Sequence, residues 1–303
     1  MKRCFLTPKD IPPELWRDGT MYMPMDLVRV YEKLLLSNGI MDLARSQERK
    51  KSVIGGESRE DSLDHFARRY GVSVCRVECV TLDPGEVFGL ISSSLQLVFS
   101  DGLITILDVP CGTGAASVSL LSTIAVLRKN RLFPQLPLTV MITAGDISET
   151  ALAVYEEIIN KMRISLREVG IDVSFRGQKW DATESEQTSG LVDEWFKNSE
   201  GAEEYWCIIA DFSGTGKNLF VQRSFQHLHE RLQSKKSSVL WVEPAESKDA
   251  KKIFKKVHGV LESLRKFPYR SKTPHEYKCC WFHPFQRQKW PCRVLVQKFE
   301  KQE

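Results

Sequence analysis

The residues best suited to chemistry are aspartates that stand at the ends of short apolar runs. The first one opens the segment Asp108-Val109-Pro110-Cys111-Gly112-Thr113-Gly114. Its glycines let the backbone approach a ligand closely, and the helix predicted to follow offers free N–H groups to an anionic group. The segment therefore predicts a ligand-binding turn. The alternative is that Asp108 only caps the helix or holds the turn.

Three more acidic segments follow the next apolar runs. They are Asp146-Ile147-Ser148, Asp181-Ala182 and Asp211-Phe212. The carboxylate of Asp146 can accept hydrogen bonds from both hydroxyls of a ribose. The carboxylate of Asp181 can accept a hydrogen bond from an exocyclic amine. The alternatives are structural: Asp146 stabilises a helix N-terminus, Asp181 lies in a surface turn, and Phe212 packs in the core.

Strands and helices alternate in the part of the chain that carries these aspartates. The predicted strands are 103–109, 138–144, 171–175, 205–211, 238–242, 277–282 and 293–299, the last two joined by a long turn. The predicted helices are 115–127, one capped by Ser148, 191–196, 217–232 and about 250–265. The alternation predicts an α/β fold with a doubly wound, mostly parallel sheet, which binds ligands beyond the carboxyl ends of its strands.

Residues 1–100 predict a mainly helical region ahead of an α/β domain at 101–303. Apolar residues at helical spacing indicate a helix around residues 27–35, and a polar loop is predicted over 47–61. A helix is predicted at 62–70 and an extended segment at 72–82. Asp83-Pro84-Gly85-Glu86 is typical of a helix start, since aspartate caps and proline suits the first turn.

The order of the acidic motifs resembles that of the class I S-adenosylmethionine-dependent methyltransferases, over roughly residues 100–300. The first segment is similar to the family's acidic residue and Gly-x-Gly turn, with Pro110 in place of the first glycine. The resemblance implies a Rossmann-like fold, S-adenosyl-L-methionine as the cofactor, and methyl transfer as the reaction. It implies cofactor contacts for Asp108, Pro110, Gly112, Thr113, Gly114, Asp146, Ile147, Asp181 and Ala182.

The resemblance also implies that Asp211 and Phe212 are catalytic, with Asp211 orienting or deprotonating the methyl acceptor. The segment after Asp211 is similar to the fourth motif of RNA cytosine-C5 enzymes, but it lacks their Pro-Cys dipeptide and thus the nucleophilic cysteine. The N-terminal region would close over the cofactor or recognise the substrate through His65, Phe66, Arg69 and Tyr70.

Two other ligand-binding patterns fail on spacing. A dinucleotide fingerprint needs a third glycine at the position that Ser117 occupies. A phosphate loop needs Ser or Thr, to bind magnesium, at the position that Asn218 occupies. Three functions stay open: a methyltransferase acting on RNA or another nucleic acid, a non-catalytic nucleic-acid-binding or assembly subunit, and a small-molecule methyltransferase.

Charge is distributed unevenly along the 303 residues. Residues 231–303 carry 18 Lys and Arg against 7 Asp and Glu, whereas residues 1–230 have a net charge of −7. Four lysines at helical spacing predict a basic helix face: Lys251, Lys252, Lys255 and Lys256. Basic and aromatic residues then alternate, which favours phosphate contact and base stacking and hence a partner such as RNA. The alternative is a solvated helix beside an ordinary strand pair.

Composition excludes several other classes of protein. With 42% hydrophobic and 27% charged residues, the chain is expected to fold. No apolar run approaches the length of a membrane span, and residues 1–16 lack the apolar stretch of a signal peptide. Eight cysteines without an export signal predict reduced thiols and a cytoplasmic location.

The cysteines form two groups along the chain. One is Cys75 with Cys79, and the other is Cys279, Cys280 and Cys292 with His283. Neither has two Cys-x-x-Cys units, which is the spacing typical of zinc sites. The spacing therefore predicts buried thiols and no metal.

Overall fold

The computed structural model describes residues 6–47, 56–212, 219–232, 237–245, 269–271 and 274–301. The strands in these ranges are β1 (Trp16–Arg17), β2 (Thr20–Met21), β3 (Gly102–Asp108), β4 (Leu138–Asp146), β5 (Ile171–Lys179), β6 (Glu204–Ala210), β7 (Ser237–Pro244), β8 (Tyr269–Ser271), β9 (His275–His283) and β10 (Gln288–Lys301). The helices are α1 (Met25–Ser37), α2 (Met41–Arg45), α3 (Arg59–Leu82), α4 (Leu90–Val98), α5 (Ala115–Lys129), α6 (Glu149–Arg167), α7 (Ser185–Asn198) and α8 (Leu219–Leu232).

These strands form one mixed sheet in the order β1-β2-β9-β10-β7-β6-β3-β4-β5, and β8 pairs with β10. Strands β5, β4, β3, β6 and β7 are parallel. Strand β10 is inserted antiparallel between β7 and β9. The predicted doubly wound, mostly parallel, Rossmann-like sheet is confirmed. Strand order reverses beside β3, which lies between β4 and β6, and such a switch point opens a crevice at the carboxyl ends of the strands.

Two hydrophobic cores cover the two faces of the sheet. Ile106 and Ile208 lie in the larger core with residues of α3, α5 and α6. Their neighbours Leu107 and Ile209 lie in the smaller core with residues of α7 and α8. Parallel strands that are buried on both faces are continuous apolar runs, which explains why their positions were predictable to within a few residues.

The last two strands differ from the prediction. They are longer than predicted, and the turn between β9 and β10 has only four residues, 284–287. The predicted strand pair is confirmed, but the predicted long turn is wrong. The predicted helix at 250–265, with Lys251, Lys252, Lys255 and Lys256, lies outside the described residues.

The predicted extended segment at 72–82 is also wrong. Helix α3 continues through it, and 17 of the 24 residues of this helix are buried. Alternating valines such as Val72, Val74 and Val80 are typical of strands. Because residues 70–82 are all buried, this part of the helix shows only weakly the amphipathic period by which a helix is recognised.

Asp83 ends a helix and does not begin one, so that prediction is wrong as well. The residue terminates α3 in the left-handed conformation, with φ 49°. Its carboxylate accepts hydrogen bonds from the N–H groups of Val87, Phe88 and Gly89. The side chain therefore holds the loop that leads to α4, whose first residue is Leu90.

The N-terminal helices belong to the same core as the sheet. Residues of α1, α3 and α4 lie in the larger core. Strand β2, which the sequence did not predict, pairs with β9. Among the described residues, no helix is long and apolar enough to cross a membrane.

Candidate functional site

The predicted glycine turn lies between β3 and α5, at the carboxyl edge of the sheet. Gly112 and Gly114 have positive φ values of 49° and 77°. A Cβ atom at Gly114 would lie 2.1 Å from the ring of Tyr155, whereas one at Gly112 would meet nothing within 4 Å. The turn is therefore packed against α6 on one side and has open space on the other.

Helix α5 begins directly after this turn. Its N-cap residue is Gly114, and no side chain in the described part of the chain caps its first turn. The first N–H groups of a helix carry a partial positive charge and favour an anionic or hydrogen-bond-accepting ligand.

Asp108 is buried beneath the turn. Its Oδ2 accepts hydrogen bonds from Ser117 Oγ at 2.6 Å and from Tyr155 Oη at 3.1 Å. Its Oδ1 is buried too and has no hydrogen-bond partner among the described residues. Burial raises the pKa of this carboxyl to about 7. An unpaired buried carboxylate oxygen is unfavourable unless it is protonated or receives a donor.

Asp146 ties the end of β4 to the glycine turn. Its Oδ2 accepts from Gly112 N at 2.8 Å, and its Oδ1 accepts from Ser148 N at 2.9 Å. Burial raises the pKa of the carboxyl, and these hydrogen bonds oppose the rise. Each oxygen keeps a second lone pair, so the carboxylate can still accept from two hydroxyls. Ile147 follows it, half-buried.

The end of β5 closes the neighbouring part of the edge. Trp180 is buried, its N–H donates to the carbonyl of Asp146 at 2.8 Å, and its Nε1 donates to Thr188 Oγ1 at 3.0 Å. Asp181 Oδ1 accepts from the N–H and the hydroxyl of Thr183 at 2.8 and 2.7 Å. Asp181 thus makes the contacts of a turn residue, and Ala182 packs against the smaller core.

Asp211 lies just past β6, in the left-handed conformation with φ 54°. Its carboxylate accepts from Arg76 Nη1 at 2.9 Å and from the hydroxyl of Ser73, and both partners belong to α3. Arg76 also donates to the carbonyl of Arg293 in β10 at 3.3 Å. A carboxylate held by a guanidinium group is better suited to orienting another group than to removing a proton.

Phe212, predicted to act beside Asp211, is 8% exposed. Its ring centroid lies 4.9 Å from that of Phe225. Its N–H donates to Glu243 Oε1 at 2.8 Å, and the Trp241 Nε1 donates to the same oxygen. These contacts match the structural alternative for Phe212. The residues that follow it, 213–218, lie outside the described part.

Helix α3 carries a row of polar residues across the carboxyl edge. These residues are spaced by three or four positions and so lie on one side of the helix. We call this row the α3 polar face; it consists of Ser62, His65, Arg69, Ser73 and Arg76. At one end, Ser62 Oγ lies 2.6 Å from the Oγ of Ser148, just past β4. At the other end, Ser73 and Arg76 hold Asp211, just past β6. The α3 polar face thus crosses in front of the end of β3.

The four N-terminal residues predicted to reach the site divide into two pairs. His65 and Arg69 are half-buried on the α3 polar face. Phe66 and Tyr70 are buried, and the ring centroid of each lies 5.0 Å from that of Tyr31 on α1. Phe66 and Tyr70 therefore position α3 from behind.

Ser62, Ser73 and Arg76 are not among the residues predicted from the sequence to lie at the site. Their three- and four-residue spacing with His65 and Arg69 is a helical signal, but it is visible only when residues 59–82 are taken as one helix. The incorrect extended segment at 72–82 split this pattern in two.

The two cysteine groups converge between α3 and the β9–β10 pair. Cys79 Sγ lies 4.0 Å from Cys279 Sγ, and Cys279 lies opposite Cys292. His283 instead accepts hydrogen bonds from the N–H groups of Phe285 and Gln286. The seven cysteines in the described ranges are free thiols. No group of three or more metal-ligating side chains in those ranges could hold a metal ion.

Comparison of the sequence with known proteins finds no match. No family model matches the chain, and no curated protein is similar to it at a significant level.

Comparison of the structure with solved structures finds methyltransferases. A candidate class I S-adenosylmethionine-dependent methyltransferase from Listeria monocytogenes is 11% identical, with 93% of this chain and 88% of that chain covered and a TM-score of 0.37. A candidate RNA methyltransferase from Pyrococcus horikoshii is 15% identical, with 69% and 82% covered and a TM-score of 0.36. The N-methyltransferase NodS from Bradyrhizobium japonicum is 13% identical, with 70% and 94% covered and a TM-score of 0.34. Identities and scores this low carry no information about substrate or activity.

Proposed function

We propose that the protein is a methyltransferase that uses S-adenosyl-L-methionine. The observation that carries the proposal is the arrangement of Asp108, the Gly112–Gly114 turn and Asp146 at the switch point of the sheet. Asp146 binds the turn directly through Gly112 N. A carboxylate beside a glycine turn at such a crevice suits a ligand that carries a ribose.

The residues of the turn fit this cofactor on two counts. The space beside Gly112 is open, since a Cβ there would meet nothing within 4 Å, and the first N–H groups of α5 lack a side-chain cap within the described residues. The buried Oδ1 of Asp108 lacks a donor among those residues, and the cofactor carries a cationic amino group. When bound, S-adenosylmethionine supplies an electrophilic methyl group.

The chain's own residues would then bind and orient the ligand. Asp146 would accept the ribose hydroxyls through its remaining lone pairs. Asp181, after β5, would accept from the adenine amine through the oxygen that Thr183 leaves unused. Asp211 would orient the methyl acceptor, because Arg76 and Ser73 already fix its carboxylate.

Isothermal titration with S-adenosylmethionine tests the cofactor. We expect the folded protein to bind at one site, and Asp146→Asn to weaken binding by about tenfold, since the amide loses the charge and one acceptor oxygen. Asp172→Asn is the matched control, because Asp172 is exposed on β5 and pairs with Arg167 at the surface.

The control variant should bind as the wild type does. Absence of binding by the folded wild-type protein would exclude this cofactor. Equal weakening of binding in both variants would show that Asp146 does not bind the cofactor.

We further propose that the methyl acceptor is a nucleic acid, with single-stranded RNA favoured. The support is the outer face of the β9–β10 pair, on the side away from Cys279 and Cys292. Cross-strand pairing places Lys278 opposite Arg293 and Phe282 opposite Lys289. All three cationic residues are exposed.

Aromatic rings extend this outer face. The ring of Phe282 stacks on that of Tyr22, with centroids 5.4 Å apart, and the Arg17 guanidinium lies 5.0 Å from the centroid of the Tyr22 ring. Exposed cations beside stacked rings suit phosphate contact together with base stacking. The sequence offers Lys251, Lys252, Lys255 and Lys256, which lie outside the described residues, as further candidates for phosphate contact.

A filter-binding series at increasing salt tests the RNA proposal. We expect a single-stranded RNA to bind with a steep salt dependence, and the triple variant Lys278→Glu, Lys289→Glu, Arg293→Glu to flatten the slope by about 2, given about 0.7 per phosphate contact. The matched control reverses the charge of three exposed lysines on helices, away from the β9–β10 pair: Lys33, Lys161 and Lys197.

The control has the same net charge as the test variant. Equal losses in the two variants would indicate general charge attraction and would contradict a defined RNA surface. RNA binding without methyl transfer would favour the non-catalytic subunit. Cofactor binding without RNA binding would favour a small-molecule acceptor.

We also propose a cytoplasmic location. The support is the state of the cysteines, since those in the described ranges are free thiols and a reducing compartment keeps them so.

A further inference from the structure

We propose that Ser189, His227 and Glu230 form a second reactive site, at which Ser189 attacks small carboxylic esters and hydrolyses them. The site lies on α7 and α8, the helices that pack on the smaller core. It uses none of the residues assigned to the cofactor or the methyl acceptor. The inference therefore goes beyond the proposed function and does not depend on it.

A pocket of about 420 Å³ is lined by residues of both helices. Ser189 of α7 and His227 of α8 line it, and both are half-buried. A Cβ atom at Gly190 would meet nothing within 4 Å, so the residue beside Ser189 leaves space on that side. The volume lies towards the low end for small-molecule sites, which favours a ligand of few atoms.

Ser189 and His227 are in direct contact. Ser189 Oγ lies 2.5 Å from His227 Nε2, although 38 positions separate the two residues in the chain. A neutral imidazole nitrogen at hydrogen-bond distance can accept the hydroxyl proton, which activates a serine as a nucleophile. The carbonyl of Ser185 is another acceptor for this hydroxyl, but at 3.3 Å it is the more distant one.

The second ring nitrogen of His227 faces a carboxylate. His227 Nδ1 lies 3.8 Å from Glu230 Oε2, and Gln226 Nε2 donates to Glu230 Oε1 at 3.1 Å. A carboxylate on the Nδ1 side favours the tautomer that keeps its proton there, which leaves Nε2 to accept from Ser189. Such contacts are often long before substrate binds. Glu230 is thus a positioning residue for the imidazole.

Charged side chains around the pocket indicate the class of substrate. Arg223 lines the pocket one helical turn before His227, where its guanidinium stabilises the oxygen that becomes negative during attack on a carbonyl. Glu186 and Glu230 line the pocket as well. Because carboxylates outnumber the guanidinium, an anionic ester is disfavoured. An uncharged ester with a short acyl group fits both the volume and the charge.

The reaction consumes one ester and one water. Ser189 Oγ forms a bond to the carbonyl carbon, and its proton passes to His227 Nε2. The bond between this carbon and the alcohol oxygen then breaks, and the proton goes to the departing alcohol. A water next attacks the acyl group on Ser189 and gives a proton to His227. That proton returns to Ser189 Oγ as the carboxylic acid leaves.

Hydrolysis of p-nitrophenyl acetate by the full chain tests the activity. We expect the wild type to release p-nitrophenol, and Ser189→Ala and His227→Gln each to lower the rate by about a hundredfold. Glu230→Gln should lower the rate by a smaller factor. Glu230→Asp keeps the charge and should recover part of that loss, which a residue that only supports the fold would not do.

Ser165→Ala is the matched control. Ser165 is also a half-buried serine on a helix, and its hydroxyl donates to the carbonyl of Met162 at 2.9 Å. This variant should hydrolyse the ester at the wild-type rate. An alkyl fluorophosphonate, which forms a phosphorus–oxygen bond to an activated serine and releases fluoride, is expected to modify Ser189 in the wild type. Peptide mass spectrometry locates the adduct.

Melting temperatures show whether the variants remain folded. The smaller core and the ion pair of Arg231 with Asp193 join the same two helices, so we expect each variant to keep its transition. A folded His227→Gln that no longer hydrolyses the ester or accepts the fluorophosphonate would support the proposal. Hydrolysis by Ser189→Ala at the wild-type rate, or an adduct on a residue other than Ser189, would overturn it.

Discussion

Asp108 links the chemistry of one side chain to the stability of the whole chain. Its carboxyl lies under the glycine turn, where burial raises its pKa to about 7. An aspartate in an unfolded chain titrates near 4. Between these two values the folded state keeps a proton that the unfolded state has lost. Stability from this group is therefore present at low pH and decreases as the pH rises towards 7.

Replacing Asp108 with asparagine should remove this pH dependence. We expect the melting temperature of the wild type to fall more steeply between about pH 4 and about pH 7 than that of Asp108→Asn, because one carboxyl contributes up to about 1.4 kcal/mol per pH unit. Circular dichroism melting curves across this range measure the difference.

The surface variant Asp172→Asn should keep the wild-type slope, since Asp172 is exposed beside Arg167. Parallel curves for Asp108→Asn and the wild type would contradict a raised pKa for Asp108.

Among the helices and strands, those whose own residues show a clear pattern of apolar and polar positions could be predicted from the sequence. The strands β3, β4, β6 and β7 were predicted because they are largely apolar runs that alternate with helical patterns. The first residues of β5 were predicted because apolar and polar residues alternate there. The chemistry of their ends, at Asp108, Asp146 and Gly114, is local and was visible for the same reason. The strands β1 and β2 have two residues each, which is too short for any period.

Helix α3 shows the opposite case. Its buried second half contains alternating valines. Its place at the carboxyl edge depends on contacts with residues more than 80 positions away, such as Ser62 with Ser148 and Arg76 with Asp211. Such pairings cannot be seen in the sequence of either partner. The pairing of Arg76 with Asp211 was unpredictable for this reason.

At the scale of the whole molecule, one sheet and its larger core join the two ends of the described chain. Residues of α1, α3 and α4 share that core with the sheet, and β2 extends the sheet beyond β9. The carboxyl edge of the sheet is thus covered by helix α3, which precedes Asp108 in the chain.

A fragment that starts at residue 101 should therefore not fold cooperatively. It lacks α3, whose buried side chains cover α5 and β10, and it would expose a large apolar surface. Scanning calorimetry is expected to show no sharp unfolding transition for this fragment. Co-expression with residues 1–100 as a separate chain should restore the transition.

The full chain provides the reference transition. A sharp transition of the fragment alone would show that the sheet is stable without the N-terminal helices.

The insertion of β10 between β7 and β9 also has a consequence for the order of folding. The partner of β2 lies in β9, more than 250 residues further along the chain, and β10 lies between β9 and the parallel strands. Contacts between such distant segments form slowly, because a long loop must close before they stabilise anything. The strands β1 and β2 are therefore made long before their final neighbours, and β2 has no strand of the sheet to pair with until β9 has been synthesised.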